Sequence, residues 1–305
     1  MRRYDTVVFD LDGTLVDERP GADAAFTAAA NHAARRTGVD ADAFVTAARA
    51  AARQVWWEPD WLGPLTETFG LSAWDALSEA YEGCVPEIQP IRDWLPEYRR
   101  AVWTATLDRV AVTDPRLTAD LADELADVFI RARHAHVTRP LPGALELLDA
   151  LADRTLVVLT NGPADGQRRK LTRSGIADRV HALVISTEAG AGKPDPTAMR
   201  IALAEVESAP TNAIMVGDTY ERDVLAAINA GMPAIWITGT QQPPQTERAD
   251  VQVVAATADV GAALLRMEEA AAPPPVREAD HRRRVPANAR VVSGQPPRSP
   301  ASAPE

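Results

Sequence analysis

A single cysteine in 305 residues, Cys84, excludes an internal disulfide and fits a reducing compartment. No uninterrupted run of ~18 apolar residues occurs, so no helical membrane span is expected. Aromatic residues are scarce at 5%, although the 46% apolar content is ample for a sizeable core. Positive charge is also short: 32 Lys and Arg face 43 Asp and Glu, for a net charge of −11. That balance argues against a general nucleic-acid binder, whose surface needs excess positive charge. Met1-Arg2-Arg3 resembles the start of a signal peptide, but Asp5, Asp10 and Asp12 interrupt the apolar stretch that one requires. A cytoplasmic protein is expected, as a monomer or homodimer. The length exceeds one ordinary domain, which predicts a core domain with an insertion or a tail.

What is present begins with Val7-Val8-Phe9, a short apolar run of the kind that makes a buried parallel strand. It ends in Asp10-Leu11-Asp12-Gly13-Thr14, where Gly13 lets the backbone turn sharply. Two carboxylates two residues apart point to one side of an extended chain. Such a pair resists joint ionisation, so one acid stays protonated or both recruit a cation. That suits a carboxylate nucleophile partnered by a carboxylic acid, with a hard metal nearby. The alternative is a pair of acids that merely caps a turn.

From residue 21 to about 137 the pattern is helical. Helices are expected over residues 23–37, ended by Gly38, and 42–57, capped by Asp40 or Asp42. Two more are expected over 93–112, with Pro96 in the first turn, and 117–134. Residues 58–90 are less regular. Six of the seven tryptophans lie in this block, and a bundle core is favoured for them over a substrate-pocket wall. His134 and His136, beside Arg131, Arg133 and Arg139, read as a solvated helix end, with anion binding as the alternative.

From residue 141 strands and helices alternate, the pattern of a doubly wound parallel sheet. Three further polar clusters end predicted strands: Thr160-Asn161-Gly162, Lys193-Pro194 in a Gly-rich loop, and Gly217-Asp218 with Asp223. Alone, each reads as a turn, a surface lysine or a helix cap. Together with the opening acids they converge on one sheet edge, where open α/β sheets bind ligands. One hydroxyl, one cation and four acids can perform phosphoryl transfer through an aspartyl-phosphate.

These four motifs, in this order, resemble those of the haloacid dehalogenase superfamily, and the helical insertion after the first is similar to its C1 cap. The resemblance spans about residues 4–268. It implies an α/β core with a Rossmann-like parallel sheet over residues 1–16 and 141–271, and an inserted all-helical cap over 17–140. It also implies that Asp10 is the nucleophile and Asp12 the general acid, then base. Thr160 and Lys193 would bind the phosphoryl group, with Asn161, Gly162 and the Gly13 turn beside them. Mg²⁺ would be held by Asp10, the backbone carbonyl of Asp12 and Asp218, with Asp223 in support. Since the dehalogenase branch carries tyrosine where Asp12 stands, a phosphatase or phosphomutase is implied. The motifs look closest to nucleotidases and N-acylneuraminate 9-phosphatases. The leading expectation is a Mg²⁺-dependent phosphatase acting on a nucleoside monophosphate or sugar phosphate. A phosphomutase, a dehalogenase and a catalytically silent binding protein rank below it. The Pro-rich stretch 272–305, with His281-Arg282-Arg283-Arg284, is expected to be disordered.

Overall fold

The computed structural model describes residues 3–112, 114–239 and 248–271. The expected disordered tail, including His281 to Arg284, lies outside the described residues. The chain opens with β1 (Thr6–Phe9) and a two-residue strand β2 (Val16–Asp17). Six helices follow: α1 (Arg19–Thr37), α2 (Ala41–Trp56), α3 (Leu62–Phe69), α4 (Ala73–Ala76), α5 (Gln89–Arg109) and α6 (Pro115–Ala135). The chain returns through β3 (Arg139–Pro140), which runs antiparallel to β2 with Val16 opposite Pro140. This short ladder is the neck through which the helical block leaves and rejoins the sheet domain.

Alternation then begins: α7 (Ala144–Ala150), β4 (Thr155–Thr160), α8 (Ala164–Arg173), β5 (Ala182–Ile185), α9 (Ser186–Ala189) and α10 (Pro196–Ala204). It continues through β6 (Ala213–Gly217), α11 (Leu225–Asn229), β7 (Ala234–Ile237), β8 (Val251–Val254) and α12 (Val260–Ala271). Strand order is β5-β4-β1-β6-β7-β8, with every pairing parallel. A parallel sheet needs cover on both faces. Val7 and Phe9 accordingly pack into one apolar cluster, and Val8 into the other. β1 connects onward to one side and β6 to the other, so the switch point of this sheet lies between their carboxyl ends. That crevice is where an open α/β sheet binds its ligand.

The helical block has an apolar cluster of its own, from Ala25 to Phe129. α2 is capped by Asp40, whose side chain accepts from the Ala43 amide at 2.8 Å. Pro96 departs from expectation. α5 starts at Gln89 with Pro90 in its first positions, which places Pro96 in the interior. There it removes the amide that would bond the Arg92 carbonyl, a cost of ~3 kcal/mol in an isolated helix. Burial of Leu95, Tyr98, Val102 and Trp103 along the same helix offsets it. The irregular stretch 58–90 contains the short helices α3 and α4. The tryptophans divide. Trp56 and Trp103 are core, Trp57 is 61% exposed, and Trp74 lines a cavity.

Polar ties bind the block to the sheet domain away from the neck. The Ser186 hydroxyl donates to the Phe69 carbonyl at 2.8 Å, and the Val85 amide to the Thr187 carbonyl at 2.7 Å. The Ala80 amide donates to Asp165, and Arg169 holds buried Glu79 at 2.5 Å. Contacts join all of this into one compact unit ending at Ala271.

Candidate active site

β1 delivers Asp10 to the switch-point crevice, where its amide donates to the Val216 carbonyl of β6 at 2.9 Å. The next residues fold tightly, with the Leu15 and Val16 amides both returning to the Leu11 carbonyl. Gly13 adopts a φ of 84°, and a Cβ there would meet Asp218 Oδ2 at 2.3 Å. Glycine is therefore required on two counts, for the left-handed turn and for the approach of the β6 carboxylate.

Lys193 arrives from the loop before α10 and is 2% exposed. Its Nζ lies 2.5 Å from Asp10 Oδ1 and 2.7 Å from Asp223 Oδ1. The other Asp223 oxygen accepts from the Thr219 amide at 2.9 Å. A π-helical turn over Tyr220–Val224 brings Asp223 back toward the strand end. Such turns recur at functional sites because the extra residue re-aims a side chain. Gly217 leaves the space: a Cβ there would meet Asp223 at 2.3 Å.

Asp10, Asp218 and Asp223 bring one carboxylate oxygen each within 4.8 Å of one another. Burial pushes Asp10 up to about 8 against the pull of Lys193, with Asp223 and Asp218 adding to the rise. Burial and the Asp223 charge likewise raise Asp218 to about 6. Three oxygen donors crowded around one lysine suit a hard divalent cation, whose charge would relieve both acids.

Asp12 stands apart from this cluster. Its Oδ2 accepts from Lys170 Nζ at 2.7 Å and from Gln167 Nε2 at 2.9 Å, while buried Oδ1 has no hydrogen-bond partner. Burial raises Asp12 to about 6, the Glu18 charge adds to the rise, and Lys170 opposes it. The expectation that Asp10 and Asp12 press on each other therefore needs correction. Each acid has its own lysine, and the acids that raise Asp10 come from the loop after β6.

The remaining predicted residues fall into two groups. Thr160, at the end of β4, lines the cavity beside Asp10 and Lys193. Asn161 clamps the lysine loop: its Nδ2 donates to the Lys193 carbonyl at 2.8 Å, and its Oδ1 accepts from the Lys193 amide at 2.9 Å. Gly162 lies outside the lining, and its amide donates to Ser186 Oγ at 3.0 Å.

Of the lining residues from the helical side, Trp74 and Arg133 figured in the sequence reading only within alternatives, and Glu18, Arg49 and Asp75 not at all. The cavity, about 800 Å³, takes Glu18, Arg49, Trp74, Asp75 and Arg133 from the helical side, with Arg222 from the sheet side. Lys170 bridges Asp12 and Glu18, the latter at 2.9 Å. A signal for part of this existed. Gln167 and Lys170 are three apart on a helix that starts just past a strand's carboxyl end, so both face that edge.

The model of the haloacid dehalogenase-like hydrolases matches residues 4–231. A phosphoserine phosphatase of Thermus thermophilus is 33% identical over 244 residues, covering 79% of this chain and 91% of the relative. A pyrimidine 5'-nucleotidase of Escherichia coli is 38% identical over 116 residues, which span 37% of this chain and 51% of the nucleotidase. Among solved structures, a 2-haloacid dehalogenase from Pseudomonas syringae pv. tomato aligns with a TM-score of 0.54 at 25% identity. That alignment covers 86% of this chain and 99% of the dehalogenase.

Proposed function

This chain belongs to the haloacid dehalogenase-like hydrolases and acts on phosphate esters, and we propose that it does so through an aspartyl-phosphate on Asp10. One observation carries the assignment. Asp10 is buried at the switch point, bonded to Lys193 at 2.5 Å, with Asp218 and Asp223 within 4.8 Å of it. An Asp10 oxygen attacks phosphorus and the bond to the leaving oxygen breaks. That oxygen takes its proton from Asp12, which can hold one near neutral pH because burial raises it to about 6. Asp12 then removes a proton from water, the water oxygen attacks the phosphoryl group, and phosphate departs as the Asp10 carboxylate is restored. Lys193 and the Thr160 hydroxyl neutralise and hold the phosphoryl oxygens. Asn161 acts on Lys193 by fixing its backbone.

Mg²⁺ would be held by Asp10 and Asp218 with Asp223 in support, whose carboxylate oxygens lie together, and by the Asp12 carbonyl that the resemblance implies, and it would supply charge neutralisation at the phosphoryl oxygens. Residues 17–140 act as the cap of this reading and residues 1–16 and 141–271 as its core. The separate apolar clusters support that division. The substrate is a small phosphorylated metabolite. The nucleoside monophosphate or sugar phosphate expected from the motifs is one class, and phosphoserine, taken from the relative's name, represents another.

The test is release of inorganic phosphate from a panel of esters. EDTA should abolish it, Mg²⁺ should restore it, and Ca²⁺ should not, because its looser coordination misplaces the phosphoryl group. Full activity in metal-free buffer would remove the Mg²⁺ assignment. An isomerised ester in place of free phosphate would overturn hydrolysis.

A further inference from the structure

Of the charged groups that the helical block presents to the cavity, two are buried: Arg133 at 9% exposure and Asp75 at 9%. Arg49, by contrast, is committed to a bond with Asp23 and to the faces of Phe26 and Trp74. Arg133 is not. Of its five N–H groups, one makes a hydrogen bond, from Nη1 to the Glu18 carbonyl at 3.3 Å. Its Nη2 lies 3.8 Å from Asp75 Oδ1, an ion-pair contact too long for a hydrogen bond. Asp75 binds the Ser72 hydroxyl through its other oxygen at 2.7 Å, which leaves Oδ1 for a further donor. The guanidinium lines the cavity with donors to spare, so a ligand there can take them. Room has been made for the guanidinium: a Cβ on Gly21 would come within 2.8 Å of Nη1.

This pair also lies on the correct side of the site. Arg133 bonds the backbone of Glu18, whose carboxylate holds Lys170, which in turn holds Asp12. Asp12 serves the leaving oxygen, so whatever that oxygen is attached to extends toward Arg133 and Asp75. The charge count constrains its chemistry. Asp12 and Glu18 hold Lys170 between them, which leaves one buried acid, Asp75, and one buried cation, Arg133, at this end. A purely anionic end would leave the Asp75 carboxylate unmatched, and a purely cationic end would leave the guanidinium unmatched. An end that carries both charges answers both groups.

Resting on the phosphatase reading above, we propose that Arg133 and Asp75 form the subsite for the leaving group, and that this group is an ammonium carboxylate. The guanidinium takes the carboxylate through paired N–H donors, and Asp75 Oδ1 takes the ammonium. The substrate class is then a phosphorylated amino acid, in preference to a nucleotide or sugar phosphate.

The wild-type protein reads this directly through kcat/KM for four small esters: O-phosphoserine, phosphoethanolamine, phosphoglycolate and glycerol phosphate. They carry both charges, the cation only, the anion only, and neither. O-phosphoserine should exceed each of the others by ~10-fold or more, the scale of one charged hydrogen bond. Arg133→Gln should cut the ratio of O-phosphoserine to phosphoethanolamine roughly 10-fold, toward unity and chiefly through KM, and Arg133→Lys should recover part of it. Asp75→Asn should cut the ratio of O-phosphoserine to phosphoglycolate similarly. Melting curves check that the variants fold, and the wild-type ranking stands without them. Four esters turned over within about threefold of one another, or variants that slow all four alike, would overturn the subsite and leave the phosphatase reading intact. If no ester is hydrolysed, calorimetric titration separates the two ideas. Tighter binding of O-phosphoserine than of the other three keeps the subsite while the phosphatase reading falls, and equal binding removes both.

Discussion

The sheet edge and the helical block face one cavity, yet they are built on opposite terms. Asp10, Asp12, Asp218 and Asp223 sit at or shortly after a strand's carboxyl end, and Lys193 in the loop before α10, fixed by backbone bonds and by glycines that leave little room to move. The block supplies its groups from α1, α2, α4 with the turn before it, and the end of α6, elements distant in sequence and held together by their own apolar cluster. A parallel sheet is a rigid platform on which a reaction can be kept while the block above it changes. The difference teaches that chemistry and fit can be separated within one chain, and each part can be disturbed by itself.

The sharpest break would come at Asp10. Asp10→Asn keeps the volume but removes the attacking charge, and activity should fall by ~10³-fold or more, with little change in melting temperature. Near wild-type hydrolysis in that variant would move the nucleophile elsewhere and dissolve the contrast between the two regions.

Lys170 lies on the boundary, since it bonds Asp12 on one side and Glu18 on the other. Lys170→Met should lower kcat by roughly 10–10² for alkyl phosphates, which need the Asp12 proton. p-Nitrophenyl phosphate, whose leaving group needs no proton, should suffer less. An equal loss for both ester types would mean that Lys170 supports the fold and does not position Asp12.

Glu79 ties the block to α8 without touching the cavity. Burial pushes its carboxyl up, but the His134 ring, the Arg169 guanidinium and the Ser78 hydroxyl outweigh it and hold the pKa at about 2, below its ordinary 4.5. A depressed carboxyl stabilises the fold above its unfolded value, and that contribution disappears as pH falls from about 4.5 toward 2. Glu79→Gln should therefore cost up to about 3 kcal/mol at pH 7 and almost nothing near pH 2. Denaturant melts at several pH values measure this, and a cost that is the same at both extremes would remove the ion pair as its source. The smallest effect is expected inside the block alone. Asp40→Ala deletes the α2 cap and should cost ~1 kcal/mol of stability, with substrate ranking unchanged.

Legibility followed the same division. Asp10, Asp12, Thr160, Lys193, Asp218 and Asp223 stand beside short apolar runs and glycines, so strand ends could be found and the polar groups placed on one edge. The reading of Asn161 as a phosphate contact had less to rest on, because nothing local shows that its amide mirrors the Lys193 backbone. Pro96 was misplaced because Pro90, a better first-turn residue, lay just outside the assumed helix. The histidines at the end of α6 drew attention by type, while Arg133 beside them passed for a solvated charge.

Local periodicity, strand-end polarity and turn glycines determined the sheet, its order of motifs and the place of Asp10 at a strand's carboxyl end, because each depends on neighbours within a few residues. The partners of Asp12 and the pairing of Arg133 with Asp75 were decided only by tertiary structure. Lys170 meets Asp12 across 158 positions, and Arg133 meets Glu18 across 115. Contacts of that span exist only once the block has folded on its own core and been returned through the β2–β3 neck to the edge where the strands end.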